Sequence, residues 1–347
     1  MPHDHAPSPH DETPAAATGN PQLIEVTRGS MVESRHRAAF AVADTDGRIV
    51  LSAGDFARPV YPRSAIKPLQ ALPLIESGAA DAFNLSVAEI ALACASHSGE
   101  PRHVDTVLAW LKRIGRTTTD LECGIHLPSN DLAMHALLQS RSDATPAHNN
   151  CSGKHTGFLT LARHMGVPTT GYIAYAHPVQ QRILGVLETM TGLDLGSAPR
   201  GIDGCGIPVI GMPLGHLALA FARLTDPRDQ PEARQAACER VCAAMAAEPF
   251  MVAGSGRYCT LVMTATGGHA LIKTGAEGVY CGALPKLGLG IALKVDDGAG
   301  RAAEVLMGRL LQHFGILDES HAELLSQPLF NRAGVRIGEV RAADIAL

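Results

Sequence analysis

The sequence predicts a mixed α/β protein of the α+β type, in which an antiparallel sheet is flanked by helices and carries a helical inserted region. Strand-like segments occur near both ends of the chain, at residues 37–55 and within residues 269–298. Helical patterns fill the middle of the chain. Strands from both ends can share one sheet only if the helical middle is inserted between them, and this reasoning defines the fold class.

Turn and helix signals order the elements along the chain. Asp44 to Gly47 separates two strands and predicts a hairpin. Ser64 to Leu72 has apolar residues at every third position, which predicts a short helix that kinks or ends near Pro73. "YCTLVMTA", residues 258–265, is apolar and partly β-branched and is predicted as the first C-terminal strand. "GRAAEVLMGRLLQHFG" predicts a last helix before a short closing segment.

Helix starts and ends are clearest in the middle of the chain. "SVAEIALACASHS" has Glu89 three residues after Ser86, which is the pattern of a capping box. "PSND", residues 128–131, is predicted as the start of another helix. Glycines follow the helical patterns in "HVDTVLAWLKRIG" and "GKHTGFLTLARHMG" and are expected to cap them.

Composition limits the classes of function. The chain has 347 residues, 46% of them hydrophobic, and a net charge of -5. We expect no nucleic-acid binding, because no basic run occurs, and no membrane segment, because no apolar stretch is long enough. The predicted organisation is a disordered tail at 1–22 and one domain at 23–347, with the helical middle at about 86–250. No export signal is evident, so a cytoplasmic location is expected.

Ser64 and Lys67, in "RSAIKPLQ", are the first candidate catalytic pair. Residues three apart share a helix face, so a neutral Lys67 can take the Ser64 proton as the hydroxyl attacks a carbonyl. That role needs a lowered lysine pKa, from burial or from a second cation. Taken alone, the pair favours the alternative of a helix-capping serine and a solvated lysine.

Two further segments favour the catalytic interpretation of Ser64 and Lys67 over the capping interpretation. "LIKTGAEG" places Lys273 at the end of an apolar strand, and in serine–lysine acyl-transfer enzymes such a K-T-G strand borders the S-x-x-K helix. An edge-strand lysine before a turn is the alternative. "ACASHSGEP" places Ser96 after an apolar helix, where its hydroxyl can relay protons or bind substrate. Ordinary capping at a helix C-terminus is the alternative there.

The eight cysteines are expected to be thiols in a reducing compartment. Cys151 and Lys154 lie at a predicted helix N-terminus, where the helix dipole and the lysine favour a thiolate. Cys205 lies between glycines in "GIDGCGIPV", which predicts a tight, exposed loop. Two thiolates brought together can bind zinc, although two cysteines in separate loops are more often unrelated.

Taken together, six segments resemble the Rhizobium etli-type L-asparaginases of the asparaginase II family. The resemblance covers the chain from about Leu23 to the C-terminus and is specific, because all six segments occur in the same order. They are "YPRSAIKPLQALP", "CASHSGEPRHV", "HNNCSGKHTGFL", "GIDGCGIPV", "MVAGSGRYCT" and "KTGAEGV".

The resemblance implies an L-asparaginase on a fold similar to serine β-lactamases and glutaminases. It implies a first pair of Ser64 with Lys67, and a second pair of Ser96 with a lysine that we place at Lys273, with Lys286 as the fallback. It also implies a homodimer and a zinc ion that aids substrate binding. The zinc ligands would be Cys151, Lys154 and Cys205.

The expected reaction is hydrolysis of the L-asparagine side-chain amide through an acyl-enzyme. Ser64 is the candidate nucleophile, and its proton goes to Lys67 or to the pair of Ser96 and Lys273. The sequence leaves open which of the two serines attacks. Asp203 is a candidate for the substrate ammonium, Arg63 for its carboxylate or for orienting Lys67, and His155 for a place beside the metal. The alternatives are a loop-turn aspartate, a solvated arginine and a helix-face histidine. Rival functions are a glutaminase or β-lactam-type acyl hydrolase, a non-catalytic sensor of an amino acid or zinc, and a zinc metallohydrolase.

Overall fold

An eight-stranded sheet forms the centre of the computed structural model, which describes residues 19–344. Within these residues the strands are β1 Gln22–Arg28, β2 Met31–Ala43, β3 Ile49–Ala53, β4 Pro59–Val60, β5 Arg200–Ile202, β6 Pro208–Ile210, β7 Met212–Pro213, β8 Leu271–Thr274, β9 Val279–Leu284, β10 Leu289–Val295, β11 Gln327–Phe330 and β12 Arg336–Ala342. Short 3₁₀ segments lie at Arg63–Ile66, Thr118–Asp120, Pro146–His148 and Glu319–His321.

The helices lie mostly between β4 and β8. They are α1 Lys67–Glu76, α2 Ala79–Ala82, α3 Val87–Ala93, α4 Pro101–Arg113, α5 Asp131–Gln139, α6 Ser152–Met165, α7 Pro178–Thr191, α8 Leu214–Thr225, α9 Glu232–Ala247, α10 Pro249–Ala253, α11 Tyr258–Ala265, α12 Gly300–His313 and α13 Ala322–Leu325. No helix in the described part of the chain is both long and apolar enough to cross a lipid bilayer.

The main sheet has the order β11-β12-β1-β2-β10-β9-β8, with β3 beside β2, and all its neighbouring strands are antiparallel. Strand β2 connects the two parts of this sheet. Residues 31–37 of β2 pair with β1, whereas residues 38–43 pair with β10. The second half of β2 is a continuous buried run, which is typical of a strand covered on both faces. Helices α8 and α12 both pack against β10, its neighbour.

The predicted fold class is confirmed. Strands from both ends of the chain share one antiparallel sheet, and the helices α1 to α11 lie between them in sequence. Inside this helical middle, β5 and β6 form a hairpin of their own. The proposed division of the chain, with a middle at about 86–250, stays a prediction.

Most of the predicted N-terminal tail lies outside the described residues. Its last residues are described and packed: β1 begins at Gln22, and the Asn20 amide donates to Asp296 over 2.7 Å. The Asp55 backbone N–H donates to the Asn20 side chain over 2.6 Å. Ordered contacts with the domain therefore begin before residue 23.

Several local predictions are confirmed by the structure. Ser86 and Glu89 form the predicted capping box of α3, and Asn130 caps α5 through its side chain. The glycine cap predicted for α6 is confirmed, because Gly166 ends that helix in the left-handed conformation. These signals succeed because each depends on residues within one helical turn.

The strand prediction for residues 258–265 is wrong, because this segment is helix α11. Its buried side chains are Tyr258, Cys259, Val262 and Met263, which recur at helical spacing, whereas Leu261 is exposed. Burial of one helical face outweighs the β-branched composition, since strand propensity depends strongly on context. The structure also places Pro73 inside α1, which continues to Glu76, so the helix does not end there.

Candidate active site

Lys67 is the first residue of α1, and the structure buries it completely. Its Nζ donates to the Ser96 hydroxyl over 3.0 Å and to the Ala95 carbonyl oxygen over 2.5 Å. The same Nζ lies 3.2 Å from Cys151 Sγ. A solvated Lys67 is therefore excluded, because every close partner of its ammonium group comes from the protein interior.

Ser64 lies in the 3₁₀ segment that precedes α1 and is half-buried. It caps neither this segment nor α1 with its side chain, so the capping alternative is wrong. Within residues 19–344 its hydroxyl has no hydrogen bond to Lys67. The preceding residue, Arg63, has a φ of 52°, which is unusual outside glycine and is held in place by the surrounding contacts.

Ser96 joins two buried lysines through one hydroxyl group. It follows α3, is 5% exposed, and its backbone N–H donates to the Val252 carbonyl over 3.0 Å. Lys273 Nζ, from strand β8, donates to Ser96 Oγ over 2.8 Å and to the Thr274 carbonyl over 2.8 Å. The structure thus forms a continuous chain of Lys67, Ser96 and Lys273, which we call the lysine–serine chain.

The K-T-G strand lies directly beside the 3₁₀ segment that contains Ser64. A Cβ atom at Gly275 would lie 2.7 Å from the Pro62 carbonyl oxygen and 3.3 Å from the Ala65 nitrogen. Only a residue without a side chain allows this approach. Lys286, the fallback position, is exposed in the turn after β9 and is not the lysine beside Ser96.

Burial lowers the pKa of both lysines in the lysine–serine chain, and repulsion from another lysine adds to the effect in each case. Desolvation, followed by the positive charge of Lys67, lowers the pKa of Lys273 to about 7. Desolvation also lowers the pKa of Lys67, although the Cys151 sulfur partly opposes this effect. Two ammonium groups around one buried hydroxyl are unfavourable, so a neutral lysine is accessible near pH 7.

Cys151, Lys154 and Cys205 form a second buried cluster, which we call the thiol cluster. Cys151 precedes the first residue of α6, and Lys154 lies in the first turn of that helix. Cys205 comes from the turn between β5 and β6, and Lys154 Nζ lies 3.1 Å from its sulfur. The turn is tight, as predicted, but Cys205 is only 5% exposed, so the expectation of an exposed loop is wrong.

Contacts within the thiol cluster determine the protonation state of each of its side chains. The neighbouring Cys205 thiol lowers the pKa of Cys151, and Lys67 and Lys154 add to this effect against the cost of burial. Cys205 keeps its proton, because the adjacent Cys151 sulfur and burial raise its pKa. Burial alone would lower the pKa of Lys154, but the two sulfurs raise it. Cys151 is therefore the thiolate of the pair.

The residues predicted to bind substrate lie around the thiol cluster. Arg63 Nε donates to Asp203 Oδ1 over 2.8 Å, and Asp203 is largely buried in this ion pair. Burial would raise the pKa of Asp203, but Lys154, the Gly204 N–H and Arg63 lower it, so the carboxylate stays charged. Arg63 is thus held by Asp203 and is not simply solvated.

His155 lies in the interior beside Tyr172, not on an exposed helix face. Its Nδ1 is 2.7 Å from the Tyr172 hydroxyl, which also accepts the Glu122 backbone N–H over 2.9 Å. This contact fixes the orientation of the imidazole ring against the tyrosine. Within the described residues, Nε2 is buried and has no hydrogen-bond partner. Burial and the Lys154 charge lower the pKa of His155 well below its usual value.

The donor set of the thiol cluster fits zinc. No three His, Cys, Asp or Glu side chains among the described residues are grouped closely enough to hold a metal ion. A zinc ion there would need the Lys154 amine as its third protein ligand beside two sulfurs. Thiolates are soft donors that suit zinc. Lys154 already contacts Cys205, and it would have to lose its proton on binding.

Some of the contacts that shape the site have no signal in the sequence. Lys67 is held by the carbonyl oxygens of Ala95 and Asn150 as well as by Ser96 and Cys151. Backbone carbonyl groups are present at every residue, so no residue type marks their role. The buried lysine–serine chain on one side and the thiol cluster on the other define a site suited to acyl transfer at a polar small molecule.

The family assignment agrees with this class of site. Residues 24–342 match the model of the family described as L-asparaginase II. The chain belongs to the L-asparaginase II family, and this membership implies an amidohydrolase. No curated protein matches the chain.

The solved structures that match this chain are distant in sequence. Mglu in its native form has 16% identity and a TM-score of 0.48, over 86% of this chain and 70% of that one. A β-lactamase from Mycobacterium bovis has 15% identity and a TM-score of 0.40, over 81% and 95%. D-alanine carboxypeptidase AmpC from Burkholderia cenocepacia has 13% identity and a TM-score of 0.36, over 76% and 88%.

Proposed function

We propose that this protein is an L-asparaginase that hydrolyses the side-chain amide of L-asparagine to L-aspartate and ammonia through a serine-bound acyl-enzyme. The observation that supports this proposal most strongly is the buried lysine–serine chain in a member of the L-asparaginase II family. Such a chain can hold a neutral lysine as a proton acceptor near neutral pH.

In the proposed mechanism Ser64 is the nucleophile. It is more accessible than Ser96, and it lies one helical turn from Lys67 and beside the K-T-G strand. The Ser64 proton passes to a neutral lysine, either directly to Lys67 or through the Ser96 hydroxyl to Lys273, while Ser64 Oγ bonds to the amide carbon. The C–N bond then breaks, and ammonia leaves with that proton. Water next attacks the ester and gives a proton to the lysine. The bond between Ser64 Oγ and the acyl carbon then breaks, this second proton passes from the lysine to Ser64, and aspartate leaves.

The ion pair of Arg63 and Asp203 is proposed to bind the charged groups of the substrate. Asp203 would pair with the α-ammonium group, and Arg63 with the α-carboxylate group. The hydrogen bond between these two side chains would be partly replaced by their contacts with the substrate. His155 would support the first turn of α6 from its position against Tyr172. Opposite charges fixed side by side suit a zwitterionic amino acid.

Zinc is proposed as the cofactor, held by Cys151, Lys154 and Cys205. When bound, it would supply a positive site that attracts and orients a polar group of the substrate. The protein side chains alone carry the acyl transfer in this proposal. The homodimer and the cytoplasmic location stay predictions, which light scattering and cell fractionation can check.

An ammonia-release assay on purified protein tests the proposed function. We expect ammonia from asparagine with the wild type and a loss on the order of 10³-fold or more with Ser64→Ala. Ser52→Ala is a matched control, because Ser52 is an exposed serine on β3. Mass spectrometry of a trapped acyl-enzyme identifies which serine carries the acyl group.

The same assay separates the rival functions. Ammonia only from glutamine, or turnover of a chromogenic β-lactam without asparagine hydrolysis, would favour another specificity on this scaffold. Tight asparagine binding without ammonia would indicate a sensor. Activity that persists after chelation would count against a metallohydrolase. Substantial activity of Ser64→Ala would overturn the assignment of the nucleophile.

A further inference from the structure

His97 connects the segment that contains Ser96 to the helix that carries the thiol cluster. It directly follows Ser96 and is 1% exposed. Its Nε2 lies 2.8 Å from the hydroxyl of Ser152, which directly follows Cys151. His97 is therefore the neighbour of a candidate catalytic residue, and Ser152 is the neighbour of a candidate metal ligand. The hydrogen bond between them links the two segments.

The direction of this hydrogen bond follows from the surrounding contacts. Ser152 donates its own proton to the Ala147 carbonyl over 2.9 Å, so its oxygen must accept from His97. The Gly99 backbone N–H donates to His97 Nδ1 over 3.2 Å, so Nδ1 carries no proton. Both bonds require the neutral tautomer with the proton on Nε2. His97 is thus a fixed link whose two ring nitrogens are both in use.

The backbones on the two sides of this link are in unusually close contact. A Cβ atom at Gly153 would lie 2.3 Å from the Leu92 carbonyl oxygen. The end of α3 and the start of α6 therefore touch without an intervening side chain. A small displacement between them cannot be absorbed by side-chain rotation, because backbone meets backbone.

Lys67 reaches across the same junction. Its Nζ is 3.0 Å from Ser96 Oγ on one side and 3.2 Å from Cys151 Sγ on the other. Both contacts persist only while the two segments keep their spacing. An increase of about 1 Å would move one partner beyond hydrogen-bond distance.

We propose that His97 is a positioning residue for catalysis. By donating to Ser152, it holds the Ser96 hydroxyl within hydrogen-bond distance of both lysines of the lysine–serine chain. This inference rests on the proposed function, since it assigns His97 a part in the same acyl transfer. His97 touches neither substrate nor reacting atoms, and it acts through Ser96.

Two substitutions separate the two hydrogen bonds of the ring. Gln can place an amide N–H near the Nε2 position, whereas Asn places its polar atoms near Nδ1 and cannot reach Ser152. We expect His97→Asn to lose about tenfold or more in kcat, with KM changed less than about threefold. His97→Gln should stay within about threefold of the wild type. Ser152→Ala should match His97→Asn, and the double variant should add no further loss.

The pH profile and a matched control exclude a purely structural role. Displacing Ser96 removes a partner of Lys273, so the pH midpoint of kcat/KM should move in His97→Asn but not in His97→Gln. His103→Gln is the control. The His103 ring stacks on His97 at 4.9 Å, yet its one side-chain hydrogen bond within residues 19–344 goes to the Phe250 carbonyl. This variant should lower the melting temperature without changing kcat or the pH midpoint. Circular dichroism verifies folding of every variant.

The outcomes distinguish this inference from the proposed function. Equal kcat values for His97→Asn and the wild type would overturn the inference, as would an additive double variant. Failure of the wild type to hydrolyse asparagine would contradict the proposed function only. In that case the same series is measured with glutamine or a chromogenic β-lactam. A long-range ¹H–¹⁵N spectrum of the imidazoles adds a substrate-free check, and a proton on Nδ1 of His97 would also overturn the inference.

Discussion

The lysine–serine chain and the thiol cluster each contain a fully buried lysine, but the pKa values of these two lysines shift in opposite directions. Lys273 Nζ lies 2.8 Å from a serine oxygen, and Lys154 Nζ lies 3.1 Å from a cysteine sulfur. The pKa of Lys273 falls to about 7, whereas that of Lys154 rises. Burial favours the neutral amine in both places, so the difference comes from the neighbours.

Neighbouring charge decides which buried lysine can act as a base. Lys273 faces a neutral hydroxyl and the cation of Lys67, and two cysteine sulfurs nearby offset burial and repulsion only in part. Lys154 faces two sulfurs and the Asp203 carboxylate, which stabilise its positive charge. The first environment prepares a proton acceptor, and the second keeps the Lys154 amine protonated, so the zinc ion proposed there would have to displace that proton.

The largest expected effect comes from removing the proposed base. Lys273→Met should lower kcat/KM on the order of 10²–10⁴-fold, because a positioned proton acceptor is lost. Lys273→Arg should lose a similar amount, since arginine keeps its proton. Lys154→Met is the matched variant in the thiol cluster and should act mainly on KM. A larger fall in kcat for Lys154→Met than for Lys273→Met would contradict the conclusion that Lys273, and not Lys154, acts as the base.

A second prediction concerns the carboxylate beside the thiol cluster. Asp203→Asn removes the partner of Arg63 and one stabiliser of the Lys154 charge. We expect KM for asparagine to rise about tenfold, with a smaller change in kcat, because a charged contact to the substrate is lost. Steady-state kinetics measure both constants. Asp105→Asn, on the exposed face of α4, is the control. An unchanged KM would remove Asp203 from substrate binding.

A third prediction tests the metal site. Cys205→Ser should lower the zinc content from about one ion per chain to near zero, because a hydroxyl is a poor ligand for zinc. Elemental analysis after dialysis measures the content. Cys238→Ser is the control, since Cys238 is an equally buried thiol in α9, outside the thiol cluster. Chelation of the wild type should raise KM severalfold and change kcat less. Equal zinc content in both variants would exclude this set of ligands.

The smallest expected effect is a pH dependence of stability. The pKa of Lys273 is about 7 in the folded chain and 10.5 as its ordinary value, so the unfolded chain binds more protons between these pH values. Its contribution to the free energy of unfolding therefore increases as pH rises from about 7 to 10.5. Denaturant titrations at several pH values should give a flatter dependence for Lys273→Met than for the wild type. Identical slopes would mean that Lys273 keeps an ordinary pKa.

The sequence predicts those elements of the fold that depend on residues close together in the chain. The hairpin of β2 and β3, the strands β8 to β10 and the capping box of α3 all follow from patterns within a few residues. Strands β1 and β12 were not predicted. β1 has no clean alternation, and its burial depends on partners from the far end of the chain. The error at α11 has the same origin, because packing rather than composition selects its conformation.

For the candidate active site, too, the sequence predicts what lies within one segment but not the contacts between segments. Sequence motifs identified the segments that the structure brings together, including those of Ser96, Cys151 and Lys273. They predicted Lys67 as a partner of Ser64, whereas its hydrogen bonds go to Ser96, Cys151 and two carbonyl groups. Side chains from three separate segments meet at that point, and spacing within one segment cannot reveal such a meeting.

The pairing of β1 with β12 also sets the order in which the protein can mature. Ile24 lies opposite Ala342, so a gap of roughly 300 residues separates partners in the same ladder. At about 5–20 residues per second, the ribosome needs roughly 15 to 60 s to make the chain between them. During that time the edge of β1 lacks its final neighbour and remains open to pairing with other chains. The yield of native protein should therefore depend on how nascent chains are shielded from one another.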